Sequence, residues 1–170
     1  MQDELLGTMR RMRAIKTYTP ESIDESTIQS ILEVGRWTGT GGNRQPTEVV
    51  VVRDQDVRTS FGEWGAKPAA TAPLVLLLVT GDDQFTFDEG RMAERLCLAA
   101  AACGLGATVA TLKESGPDQA KQLLGIPADR RARTVVAIGH TNKDAGFAPT
   151  AMTAKAGRKP LSEYAHWDRF

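Results

Sequence analysis

Three short apolar runs constrain this chain more than anything else in it. Val49-Val50-Val51-Val52, Leu74-Val75-Leu76-Leu77-Leu78-Val79 and Thr134-Val135-Val136-Ala137-Ile138 are continuous rather than alternating. Runs of this kind, bounded by polar residues, are the pattern of strands buried on both faces. Thr108-Val109-Ala110 is a shorter candidate strand. Helical spacing predicts a helix from about Asp3 to Met12, with Leu5, Leu6 and Met9 on one side. A second helix follows the Ser22-Ile23-Asp24-Glu25 capping box and runs to about Trp37 through Ile28, Ile31, Leu32 and Gly35. A third spans about Phe87 to Cys103, polar at Asp88, Glu89, Arg91, Glu94 and Arg95, then apolar nearly all round from Leu96 to Ala102. Such a helix passes from the surface into a core or a subunit interface. Gly104 is placed as its cap, and Pro117 to Leu124 suggests one more short helix. Strands interleaved with helices imply an α/β or α+β sandwich around one sheet.

Length and charge narrow the possible functions. At 170 residues the chain suits a single domain over residues 1–170 and leaves no room for separate cofactor and substrate modules. With 21 basic and 21 acidic residues, bulk attraction to nucleic acid or to an anionic membrane is not expected. No apolar run reaches the ~18 residues of a bilayer span, and the opening Met1-Gln2-Asp3-Glu4 lacks a secretory layout. Cys97 and Cys103 share no helix face, so they are expected as free thiols in a reducing, cytoplasmic setting. No metal site is expected from two cysteines and the distant His140 and His166. From about residue 141 the chain becomes a polar arm with Lys143, Pro149, Lys155, Arg158, Lys159 and Pro160, ending in Tyr164, Trp167 and Phe170. Aromatics of that size are expected to cover something, either the arm's own domain or a second subunit.

Hydrolase and P-loop signatures are absent, and Gly104-Leu105-Gly106 is too short for a dinucleotide fingerprint. Three segments carry candidate chemistry. Arg10-Arg11-Met12-Arg13-Ala14-Ile15-Lys16 places four cations in a chain of zero net charge. Arg13 and Lys16 can converge on one phosphate while Ile15 packs inward, or they are simply the solvated basic end of a helix. Thr38-Gly39-Thr40-Gly41-Gly42-Asn43-Arg44-Gln45-Pro46 combines glycines with the neutral donors and acceptors Thr40, Asn43 and Gln45. It suits the edge of a heterocycle, or it is a flexible connection. Gly157-Arg158-Lys159-Pro160 is a second concentrated cation pair, or a solubilising surface run.

Taken in order, these segments resemble a known family. Arg13-Ala14-Ile15-Lys16-Thr17-Tyr18, then Gly41-Gly42-Asn43-Arg44-Gln45-Pro46 before the valine run, are similar to the opening of the FMN-dependent nitroreductases. So are Leu98-Ala99-Ala100-Ala101-Ala102-Cys103-Gly104-Leu105-Gly106-Ala107, Val136-Ala137-Ile138-Gly139-His140 and the arm from Arg158 to Phe170. The resemblance implies an α+β fold: a three-layer α/β/α sandwich around a mixed, mainly antiparallel sheet. It also implies an intertwined homodimer, with an arm over about residues 141–170 wrapping the partner. It implies a cofactor site in which Arg13, Ala14, Ile15, Lys16, Arg158 and Lys159 lie around the FMN phosphate. Thr40, Asn43 and Gln45 would reach the flavin from the neighbouring subunit, and Val109, Ala110, Thr111 and Leu112 would lie against its ring.

The implied activity is an FMN-dependent oxidoreductase that passes electrons from NAD(P)H to a small conjugated acceptor, such as a nitroaromatic or a quinone. No side chain is implied as a catalytic acid or base, because the cofactor carries the chemistry. The alternative is a non-catalytic flavin or nucleotide binder, a carrier or sensor, on the same fold. It is motivated by Met12, Ala14 and Thr47, which depart from the family pattern and remove potential cofactor contacts. The stretch between residues 53 and 88 is also short beside larger relatives, which insert helices there.

Overall fold

A computed structural model describes residues 2–81, 83–141 and 157–170. The elements run α1 (Gln2–Arg11), α2 (Glu25–Arg36), β1 (Glu48–Val52), α3 (Gln55–Glu63), β2 (Leu74–Thr80), α4 (Thr86–Ala102), β3 (Gly106–Thr111), α5 (Gly116–Leu124), β4 (Arg131–Gly139) and α6 (Leu161–Tyr164). The expected arm residues Lys143, Pro149 and Lys155 lie outside the described residues.

The strands form one sheet in the order β1-β2-β4-β3, antiparallel at every pairing. Among the described residues, the parallel part of the expected mixed sheet is a single bridge, Ala14 with Ala107. Successive side chains on the central strands point to opposite faces. Leu74, Leu76, Leu78, Val136 and Ile138 therefore pack with Ile28, Ile31 and Leu96 from α2 and α4. Val75, Leu77, Val79, Val135 and Ala137 pack instead with Phe61, Ala69, Leu112 and Ala120 on the α3 and α5 side. The result is an α+β sandwich of three layers. The runs in β2 and β4 are buried on both faces, as their composition predicts. The run in β1 is not: β1 is an edge strand, and Val51 is 40% exposed. A continuous β-branched run signals a strand but does not distinguish a central position from an edge.

Other boundaries shift for local reasons. Asp24, not Ser22, is the N-cap of α2, because its carboxylate accepts from the Thr27 N–H at 2.9 Å. Glu25 is thereby released from the capping box and pairs with Arg53 at 2.9 Å. The stretch after residue 53 holds α3, capped by Asp54 and tied to the sheet side by the buried Arg58, whose guanidinium donates to the Ala72 carbonyl. Glu89, expected on the polar face of α4, is only 2% exposed and pairs with Arg131 at 3.2 Å. Cys97 is buried in α4 and Cys103 is exposed, both as free thiols. Burial, followed by the nearby charge of Glu94, pushes the Cys97 thiol up to about 12.

Leu96 sits where α2, α4 and the sheet meet, so Leu96→Ala is expected to cost about 2–5 kcal/mol. The check is the chemical denaturation midpoint, and a loss below 1 kcal/mol would mean that the α2–α4 face is not a packed core. Iodoacetamide is expected to modify Cys103 in the native protein and Cys97 only after unfolding. Native labelling of Cys97 would contradict its burial.

Candidate functional site

The basic segment after α1 is shaped by two glycines. Gly106 of β3 and Gly139 of β4 stand opposite each other in the sheet. A Cβ on Gly106 would come within 2.9 Å of Ile15, and one on Gly139 within 2.9 Å of the Tyr18 ring. Their bare backbone therefore lets residues 14–19 lie against the sheet end. The Ile15 N–H donates to the Ala107 carbonyl at 3.1 Å, and the Thr19 N–H to the His140 carbonyl at 2.9 Å. The Tyr18 hydroxyl stands 2.6 Å from the Ile15 carbonyl and 2.9 Å from the Ala137 carbonyl, with one proton to share between them. Burial raises its pKa, with a smaller contribution from Cys97, so it remains a donor. Ile15 is half-buried, as the spacing predicts, which leaves Arg13, Ala14 and Lys16 exposed along the start of β3.

Arg13 folds back onto the Arg10 and Met12 carbonyls at 2.8 and 2.7 Å. Among the described residues neither Arg13 nor Lys16 has a carboxylate within ion-pair distance, whereas Arg36, Arg53, Arg130 and Arg131 each have one. The segment can thus offer positive charge to an anion.

β3 continues from this end as an edge strand. Ala107 turns its carbonyl outward to Ile15, while Leu112 turns its N–H inward to the Arg133 carbonyl at 3.0 Å. By the period of two, the backbones of Val109 and Thr111 face outward and that of Ala110 faces β4. The predicted ring-contact set therefore divides. Val109 and Thr111 present backbone groups at the open edge, Ala110 is turned into the sheet, and the Leu112 side chain is in the core. From Ala107 to Thr111 the edge extends about 13 Å by the strand rise.

The glycine-rich loop lies elsewhere. It precedes β1, at the opposite edge of the sheet, about 14 Å from β3 by strand spacing. It adjoins the Thr111 end of the sheet, away from Arg13. Gly41–Asn43 make a 3₁₀ turn, and Gly42, Asn43 and Gln45 all have positive φ, of 59°, 53° and 49°. The Thr40 hydroxyl accepts from the Gln45 N–H at 3.0 Å, so Thr40 closes the loop rather than extending from it. Arg158 and Lys159 are exposed and line a shallow groove with Leu161 and Tyr164. One chain therefore brings Arg13, Lys16, Val109 and Thr111 to one edge and does not bring Thr40, Asn43 and Gln45 to it. Among the described residues no cluster of His, Cys, Asp and Glu could hold a metal ion.

Residues 9–80 match the nitroreductase family model, a span that contains both the basic segment and the glycine-rich loop. Over that span the chain is similar to the nitroreductase family. It is 27% identical over 156 residues to an Archaeoglobus fulgidus protein provisionally named an NADH dehydrogenase/NAD(P)H nitroreductase, covering 85% of this chain and 90% of that protein. Its fold is similar to that of an FMN-dependent nitroreductase from Clostridium difficile, with a TM-score of 0.81, 16% identity, and coverage of 97% and 99% of the two chains. The NADPH:FMN oxidoreductase of Vibrio harveyi, complexed with NAD+, aligns with a TM-score of 0.77 and 21% identity, over 98% of this chain and 77% of that one.

The sequence alone did not single out a role for Tyr18 or for the arginines Arg91, Arg95 and Arg130 around the loop. Charged side chains on a helix or in a turn give no sign in sequence that they bond to carbonyls. Two outcomes follow from the geometry. In the ligand-free protein the amides of Val109 and Thr111 should exchange with solvent faster than those of Ala110 and Leu112, and the reverse order would refute the outward assignment. Because the folded Tyr18 hydroxyl titrates above its unfolded value of 10.0, the stability it contributes is present below pH 10 and lost at higher pH. Tyr18→Phe should flatten that alkaline loss of stability, and an unaltered pH profile would count against it.

Proposed function

We propose that this protein is an FMN-dependent, NAD(P)H-oxidising reductase of small conjugated acceptors, working as a homodimer in the cytoplasm. The observation carrying the proposal is the open β3 edge, with exposed Arg13 and Lys16 at its start and outward backbone at Val109 and Thr111. The residues fit an elongated ligand with an anionic end and a flat polar-edged end. Arg13 and Lys16, with Arg158 and Lys159 from the arm, would hold the phosphate of FMN. Val109 and Thr111 would meet the ring edge with backbone groups, whose directions are fixed by the sheet and need no reorganisation.

Asn43 and Gln45 would come from a second copy, because the loop in the same chain is at the far edge of the sheet. The exposed Leu161, Tyr164, Trp167 and Phe170 support that reading, since aromatic surface of this kind suits burial against another chain. When bound, FMN supplies the electron transfer between nicotinamide and acceptor; the chain binds it, orients it and shields it from water. The free thiols Cys97 and Cys103 are in keeping with a reducing compartment, and no described helix is long and apolar enough to cross a membrane.

The purified protein is expected to show flavin absorbance, or to acquire it on reconstitution, and to oxidise NADH or NADPH when given a nitroaromatic or a quinone. A colourless protein that takes up no FMN would defeat the proposal. Tight FMN binding without reduction by either nicotinamide would instead identify the non-catalytic binder. Arg13→Ala should weaken FMN binding by about 1.5–3 kcal/mol, roughly 10- to 150-fold. Unchanged affinity would return Arg13 to the role of a solvated helix end.

A further inference from the structure

We infer that Arg130 is a positioning residue for the cofactor-facing loop Thr40–Gln45, an inference that rests on the proposed flavin role of that loop. Arg130 directly precedes β4 and is largely covered. Its Nε donates to the Thr80 carbonyl at 3.1 Å, at the end of β2. Its Nη2 stands 2.7 Å from the Glu48 carboxylate and 3.4 Å from the Pro46 carbonyl. A single planar fork thus spans the end of β2, the start of β1 and the last residue of the loop. A lysine at this position could not reach all three in fixed directions.

The other end of the loop is held in the same way. Arg91 of α4 donates to the Gly39 carbonyl at 2.5 Å, and Arg95 to the Trp37 carbonyl at 2.8 Å. The two holding points share an anchor. Arg131, the neighbour of Arg130, pairs with the buried Glu89, which lies on α4 half a turn before Arg91. The first turn of α4 is therefore fixed to the residue pair that opens β4. Cations hold the carbonyls of Trp37, Gly39 and Pro46, and between them lie the three positive-φ residues. Backbone in that region, two of its residues not glycine, persists only where its surroundings over-determine it. The effect of these clamps is to fix the direction in which Asn43 and Gln45 point.

The test compares wild type, Arg130→Met, Arg130→Lys, Gln45→Ala and the double variant Arg130→Met/Gln45→Ala. FMN affinity is read by fluorescence titration of the cofactor-free protein, and amide exchange at Asn43 and Gln45 is read without FMN. Arg130→Met should weaken FMN binding at least 10-fold and speed both amides, and Arg130→Lys should recover only part of the loss. The double variant should bind no more weakly than the poorer of its parents, because both changes act through one loop. Arg91→Met, which releases only the Gly39 end, serves as the second variant should Arg130→Met not fold, and should speed the same amides. Unchanged exchange, or additive losses in the double variant, would overturn the inference. Failure of the wild-type protein to bind FMN would remove the flavin reading, and the exchange data would still decide whether Arg130 positions the loop.

Discussion

The pairing of β2 with β4 determines where everything else can be. These are the strands buried on both faces, and each sends alternate side chains into a different helical layer. Because they occupy the centre, β1 and β3 are both edges. The glycine-rich loop enters β1 and the basic segment docks on β3, so the two parts of the site are separated by the full width of the sheet. On the proposed reading, a flavin at the β3 edge of one copy meets the glycine-rich loop of a second. The proposed dimer rests on this strand order together with the proposed flavin role of the loop.

Much of this arrangement was legible in the sequence because it rests on periodicity and on glycine. The apolar runs marked the strands, but the change in α4 at Leu96 did not mark an entry into the core: Glu89, Met92 and Ala93 are already buried, and Ala102 and Cys103 are exposed, so one face of the helix packs along its length. Arg13-Ala14-Ile15-Lys16 was readable as an inward Ile15 between outward cations. Strand order was not legible, since Val49–Val52 has the composition of a central strand and lies at an edge. The division within Val109–Leu112 was also hidden, because which backbone groups face outward depends on the partner strand and its register. Gly106 and Gly139 stood in the sequence only as members of longer motifs. Their role as bare surfaces beneath Ile15 and Tyr18 exists only once β3 and β4 are paired.

The charge balance acquires a structural meaning from the same geometry. A chain with equal numbers of acidic and basic residues can still divide its arginines by task. Arg36, Arg53 and Arg131 are taken up by carboxylates. Arg95 donates to a loop carbonyl, and Arg91 and Arg130 each combine a loop carbonyl with a carboxylate, Asp88 and Glu48. Among the described residues Arg13 and Lys16 have neither a carboxylate nor a place in the clamps, although Arg13 touches two carbonyls of its own turn. Turning a guanidinium from a local carbonyl to a phosphate exchanges a neutral acceptor for a charged one, and hydrogen bonds between two charged groups are the stronger kind. An exposed, lightly held arginine beside an open strand edge can make that exchange at little cost. A partly covered arginine paired to a buried carboxylate, such as Arg131, cannot, because moving it would strand Glu89 without its cation.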